Sequence, residues 1–129
     1  MTTKTRGDAD GAADDGGADG AQAAGSADAK AHYVADVLEV VEHIPAGQVL
    51  TYGDVAALVG IGGPRQVGQV MSRWGSSVPW WRVLRADGRP ALGHEARAIR
   101  HYAEEGTPMR PDGERVNLRQ ARWAGPDGG

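Results

Sequence analysis

The residues best equipped for chemistry sit in one short stretch. Val78 to Leu84 reads VPWWRVL, two tryptophans after a proline and ahead of an arginine. Indole rings present large π-faces to planar groups, and a guanidinium presents a planar fork of donors to phosphates and carbonyls. Tyr52 and Arg65 add a second set, each at the start of a helical stretch. The free N–H groups at such a helix end favour an anion. Taken singly, every one has a plain reading. Tyr52 is a surface tyrosine, Arg65 a first-turn arginine, and Trp80 and Trp81 are core.

Other chemistries are excluded by what is missing. The 129 residues include no cysteine, so the chain has no disulfide framework, no thiolate metal site and no cysteine nucleophile. His32, His43, His94 and His101 do not have the spacing of metal ligands. No run of about 18 apolar residues exists to span a membrane, and no apolar secretory segment opens the chain. An intracellular, soluble protein is expected.

The elements that must hold the aromatic stretch follow from periodicity. Residues 1–30 are nearly all Ala, Gly, Asp and Thr, with too little apolar surface to offset the entropy of ordering, and a disordered tail is expected there. Tyr33, Val34, Val37, Leu38, Val41 and Ile44 recur at helical spacing and predict a helix from Ala31 to His43, stopped at Pro45-Ala46-Gly47. Val49-Leu50 is a short extended piece. Thr51 is a candidate N-cap for a helix ending at Gly60, with Asp54 three residues on. Pro64 suits the first turn of the next, PRQVGQVMSRW, whose inner face is Val67, Val70 and Met71. Two short helices joined by a glycine-rich turn make a helix-turn-helix pattern. Glycine and proline break up residues 75–93, leaving room for a brief strand at Val83-Leu84 and a turn at Asp87-Gly88. A further helix runs from Ala96 to Glu105, ended by Gly106. VNLRQARW closes the fold as a short wing-like tail. The domain is expected to span 31–125, with 126–129 flexible.

Charge divides unevenly along the chain. The net value is −3, yet residues 61–122 hold eleven arginines against six acids, while residues 31–60 hold four acids and no Lys or Arg. A basic half joined to an acidic half suggests one face for a polyanion, although a solvated surface gives the same count.

These residues also carry a resemblance. VPWWRVL resembles the PCHRV motif of the O6-alkylguanine DNA alkyltransferases, with Trp80 at the alkyl-accepting cysteine and Trp81 at the histidine. The replacement of that cysteine by tryptophan is similar to the PWHRV of the alkyltransferase-like proteins. IPAGQVLTYGDVAALVG resembles the family's helix entry, with Tyr52 at the tyrosine position. GPRQVGQVM is similar to its recognition helix, with Arg65 at the inserted arginine. Glu104-Glu105-Gly106 and VNLRQARW resemble the family's last helix and C-terminal ending. The matches span Val34 to Trp123 in order.

The resemblance implies a mainly α, winged-helix-like DNA-binding domain with at most short strands. It implies a protein that flips and binds O6-alkylguanine from the minor groove, without repairing it, and signals to nucleotide excision repair. Dealkylation needs a thiolate, and indole is no substitute. Implied DNA contacts are Tyr52, Arg65, Gln66, Gly68 and Gln69. Implied lesion-pocket residues are Tyr52, Trp80, Trp81, Arg82, Gly88, Arg89 and Leu92. Glu105, which in the enzymes holds the motif histidine, is left to pair with Arg82 or another arginine, or to cap the chain near Gly106. No cofactor or metal is needed. The partners are double-stranded DNA containing O6-alkylguanine and nucleotide excision repair proteins. A monomer in the bacterial cytoplasm, associated with the nucleoid through DNA, is expected.

Two other readings stay open on residues alone. One is a winged-helix regulator without a lesion pocket, which leaves the tryptophan pair unexplained. The other is a base-removing enzyme, for which Asp87 and Glu105 are the nearby acids.

Overall fold

The computed structural model describes residues 20–126. The chain divides between Tyr33 and Val34, and residues 34–129 form the unit that carries the site. Helix α1 spans Gly20–His43, starting well before the expected Ala31. The early turns are rich in alanine, which favours helix without needing burial, and Ala27 to Ala31 are exposed. The expected disordered tail is therefore helical over residues 20–30, and its first nineteen residues lie outside the described ones, as do residues 127–129.

Within the second unit, α1 buries Val37 and Val41 one turn apart, followed by Ile44. The chain then turns into β1, Leu50–Thr51, and directly into α2, Tyr52–Val59. Thr51 caps α2 reciprocally. Its hydroxyl accepts from the Asp54 N–H at 3.1 Å, and its own N–H donates to Asp54 Oδ2 at 3.0 Å. Such a box satisfies two backbone donors that a helix start leaves free. Gly60 stops α2 in the left-handed conformation, φ 95°, which glycine adopts without a Cβ penalty.

α3, Pro64–Trp74, follows with proline in its first turn. Gly63 has no side chain to cap with. The Gln66 side chain instead reaches back and accepts from the Gly63 N–H at 2.9 Å. Val55 and Ala56 of α2 and Val67 and Val70 of α3 are buried where the two helices pack.

Two 3-10 turns, Gly75–Ser77 and Trp80–Arg82, lead into β2, Val83–Leu84. β2 runs parallel to β1, Leu50 beside Val83 and Thr51 beside Leu84. Parallel neighbours need a crossover, and the α2–α3 pair supplies it. α4, Glu95–Glu105, ends at Gly106 and buries Ala98 and Tyr102. A Met109–Val116 bridge closes a small hairpin, and α5, Leu118–Ala121, precedes a parallel bridge from Arg122 to Val49. The VNLRQARW ending thus docks on the strand that enters α2. Val49 N–H donates to Ala121 O and Trp123 N–H to Val49 O, both at 2.9 Å. Arg122 Nε also reaches Asp54 Oδ2 at 3.0 Å. Among the described residues the fold is mainly helical with one two-stranded sheet, in line with the expected mainly α domain with at most short strands.

Candidate nucleic-acid interface

Pro79 and the 3-10 turn after it present Trp80 and Trp81 to different partners. Trp80 faces a pocket of about 380 Å³, lined also by Tyr52, Gly68, Met71, Ala91 and Leu92. Its size falls in the range of small-ligand sites. Tyr52 reaches it from the first turn of α2, directly after the Thr51 cap. Gly68 comes from the middle of α3, where an added Cβ would meet nothing within 4 Å. Leu92 stands at the rim, 71 % exposed.

The Trp80 ring is bracketed by four neighbours. Trp81 meets it edge-on at 5.6 Å, His94 lies tilted at 5.6 Å and His101 lies edge-on at 5.9 Å between ring centroids. The Arg97 guanidinium sits 5.3 Å from its centroid. His94, Arg97 and His101 are three and four residues apart, so one face of α4 and its N-cap supplies all three.

Trp81 turns to Glu105. Its ring stacks on His101 at 3.6 Å with planes 5° apart. Its Nε1–H donates to Glu105 Oε2 at 2.9 Å, and its carbonyl accepts from the Tyr102 hydroxyl at 2.6 Å. Arg82 engages the same carboxylate twice, Nε to Oε1 at 3.1 Å and Nη2 to Oε2 at 2.6 Å, and donates from Nη1 to the Ile44 carbonyl at 2.9 Å. Glu105 also accepts from the Gly47 N–H at 3.1 Å. Burial alone would raise the Glu105 carboxyl, but the bonds from Arg82, Gly47 and Trp81 outweigh it and hold the group below the usual glutamate value. Burial raises the Tyr52 phenol against a smaller opposing pull from Arg85.

Trp81, Arg82, Gly88 and Arg89 are not among the lining residues. Trp81 and Arg82 are held by Glu105 behind the pocket. Gly88 is buried at φ +89° in the turn between Arg85 and Arg89, and its carbonyl accepts from Val116 N–H at 2.9 Å. Arg89 turns toward Asp87 at 3.4 Å and Glu114 at 3.7 Å. The wall is built one step further along, by Ala91 and Leu92. Arg85 stiffens it, its N–H donating to Arg89 O at 2.8 Å and its Nε to Pro90 O at 3.0 Å.

Of the expected DNA-contact residues, Tyr52 and Gly68 meet at the pocket, while Arg65, Gln66 and Gln69 are exposed on α3. Arg65 is in the first turn and makes no ion pair among the described residues. Gln66 is partly occupied by its bond to Gly63. Met71, Ser72, Arg73, Ser76, His94 and Arg97 line the pocket without having been expected there. For α4 the signal was available, because His94 and Arg97 lie on the same helical face as His101. Among the described residues, no group of His, Asp or Glu could hold a metal ion, and no helix is long and apolar enough to cross a membrane.

Residues 32–106, from the middle of α1 to the end of α4, match the family described as the 6-O-methylguanine DNA methyltransferase, DNA binding domain. The chain belongs to this family. Within it, the chain resembles the alkyltransferase-like members. It is 38 % identical over 95 residues to the DNA base-flipping protein of Escherichia coli, covering 67 % of this chain and 70 % of that one. It is 36 % identical over 97 residues to alkyltransferase-like protein 1 of Schizosaccharomyces pombe, covering 67 % and 90 %. The fold superposes with a TM-score of 0.62 at 31 % identity on the crystal structure of S. pombe Atl1 in complex with damaged DNA containing O6-carboxymethylguanine, covering 72 % of this chain and 95 % of that one. Against the transferase motif PCHRV, this family member offers Trp80 to its pocket and contains no cysteine anywhere.

Proposed function

We propose that this protein binds double-stranded DNA containing O6-alkylguanine, holds the extruded base in the Trp80 pocket, and leaves the alkyl group in place. The carrying observation is Trp80 itself, an indole facing a cavity of about 380 Å³ where the transferase motif has its cysteine. Relatives named for DNA base flipping, and Atl1 bound to damaged DNA, support the same ligand class.

The physical fit follows from the parts. Extruding a base from the stack costs a few kcal/mol. Stacking on Trp80 returns about 1–3 kcal/mol, and Arg65, exposed at the start of α3, fills the gap in the helix with its planar guanidinium. Gly68 keeps the α3 face low enough for close approach of the strand. Contacts to phosphates through arginine make binding fall steeply with salt. The protein acts as a monomer on chromosomal DNA in the bacterial cytoplasm, and the held lesion signals to nucleotide excision repair.

The test has two readings in one tube. The protein is incubated with duplexes carrying a single O6-methylguanine or none, binding is measured at fixed salt, and the recovered DNA is analysed for methyl retention. Tighter binding to the lesion with the methyl group fully retained is the expected result. Loss of the methyl group, or an abasic site, makes the protein an enzyme and overturns the proposal.

A further inference from the structure

The parallel strands β1 and β2 hand the chain to two residues at the same end of the sheet. Leu50 stands beside Val83 and Thr51 beside Leu84. The next residues along are Tyr52 and Arg85, so the register brings them together. Burial raises the Tyr52 phenol, and the Arg85 charge lies close enough to oppose it. Tyr52 lines the Trp80 pocket, while Arg85, half-buried, is not among the lining residues. The Arg85 stem is held at one atom, its Nε donating to the Pro90 carbonyl at 3.0 Å. Among the described residues its two Nη groups have no hydrogen-bond partner, and no carboxylate pairs with it. Asp87 feels its charge but turns to Arg89 at 3.4 Å. Other arginines of the domain are occupied, Arg82 by Glu105, Arg115 by Asp112 and Arg122 by Asp54. Arg85 thus has a fixed stem and an open guanidinium edge beside the tyrosine of the pocket.

We propose that Arg85 is a further DNA contact of this domain, and that with Tyr52 it holds one of the two phosphates flanking the nucleotide whose base enters the Trp80 pocket. The proposal rests on the lesion-binding function above and adds a residue to it. A base seated on Trp80 leaves its sugar and phosphates at the edge of the pocket, next to the residues that bound it. Extrusion turns the backbone there through a large angle. A phosphate pressed against protein needs donors and opposite charge in place of water. A guanidinium supplies both, with two parallel N–H groups matched to two oxygens. The Tyr52 hydroxyl supplies a further donor. The Pro90 bond fixes the Arg85 stem before DNA arrives, so less side-chain freedom remains to be lost on binding. A duty limited to stiffening the loop at Pro90 would make the residue equally important whether the phosphate is charged or neutral.

Neutral phosphates separate these cases. In duplexes carrying one O6-methylguanine, a methylphosphonate replaces one phosphate at a time among those nearest the lesion. The full-length protein is expected to lose about tenfold in affinity at one of the two flanking positions, the value of one charge-assisted contact. Arg85→Gln is expected to lose about tenfold on the unmodified backbone, and little more once that same phosphate is neutral. Arg85→Lys is expected to recover part of the loss, and only while the phosphate is charged. Arg85 is half-buried, so the folded state tolerates both changes, and thermal unfolding checks this. An Arg85→Gln variant that loses the same factor with the phosphate charged or neutral overturns the proposal and assigns Arg85 to the loop alone. So does an Arg85→Gln variant with undiminished affinity. Equal binding of the O6-methylguanine and guanine duplexes by the wild type, with Arg85 still coupled to one phosphate, instead overturns the broader lesion reading and leaves the phosphate contact standing.

Discussion

The indole Nε1–H of Trp81 and the guanidinium of Arg82 converge on one carboxylate oxygen, Glu105 Oε2, at 2.9 and 2.6 Å. In the family motif the residue before this arginine is a histidine, and the tryptophan here keeps a ring N–H for the same acceptor. Glu105 thereby fixes the back of the pocket: it sets Trp81, and Trp81 meets Trp80 edge-on. The carboxylate holds both side chains in place.

Removing that carboxylate is expected to be costly. Glu105→Ala leaves the Arg82 side chain, 16 % exposed, without its partner, and a loss of about 2–4 kcal/mol is expected in urea unfolding. Acid acts on the same bond. Because the folded-state carboxyl is held below its usual value, its contribution is present above the unfolded value of about 4.3 and fades as pH falls below it. The wild type is therefore expected to lose more stability than Glu105→Gln between pH 7 and pH 3.5. Identical losses contradict the assignment.

Arg65 is expected to act on DNA alone. It is exposed and unpaired among the described residues, so Arg65→Ala is expected to change stability by no more than about 0.5 kcal/mol. The same variant is expected to weaken lesion binding by about 1–3 kcal/mol. Thermal unfolding and duplex titration read the two effects separately. A matching loss in both assigns Arg65 to the fold.

Gly68 separates stability from function in the opposite direction. It lies inside α3 with open space where a Cβ would stand. Gly68→Ala is expected to stabilise the helix by about 0.5–1 kcal/mol, and Gly68→Leu to obstruct the pocket while remaining folded. Lesion affinity is expected to fall along the series Gly, Ala, Leu, as measured by titration at one salt concentration.

Gly88 is expected to be intolerant. At φ +89° an added Cβ would stand 2.9 Å from the Val116 carbonyl, so Gly88→Ala incurs both backbone strain and a clash. A loss of about 1–3 kcal/mol is expected, seen as a lower urea midpoint. The hairpin from Met109 to Val116 should loosen with it, which amide exchange of Val116 would report.

Much of this architecture was legible in the residues. The Thr51 cap, Pro64, Gly60 and Gly106 mark helix ends by mechanisms that act within a few residues, and they stand where the sequence puts them. The two-residue strands at Leu50 and Val83 were also foreseeable, being short apolar pieces between breakers. The early start of α1 was not, because alanine propensity leaves no apolar period to read. Side-chain direction in the irregular stretch was harder still. Trp80 and Trp81 are adjacent, yet a 3-10 turn sends one to the cavity and the other to Glu105. Gly88 and Arg89 are a few residues from Leu92, but the turn closed by Arg85 faces them toward Val116 and Glu114. Arg97 and His94 were not expected at the pocket, because α4 is read by its buried face, Ala98 and Tyr102, and its other side carries the pocket.

The most direct test of the central claim is the affinity of Trp80→Ala for an O6-methylguanine duplex and for the same duplex unmodified, at one salt concentration. Trp80 as the seat of the extruded base predicts that the wild type prefers the lesion and that the variant loses about 1–3 kcal/mol of that preference. Affinity for undamaged DNA should then be nearly unchanged. An undiminished preference in a folded Trp80→Ala variant would contradict the account and place the lesion elsewhere.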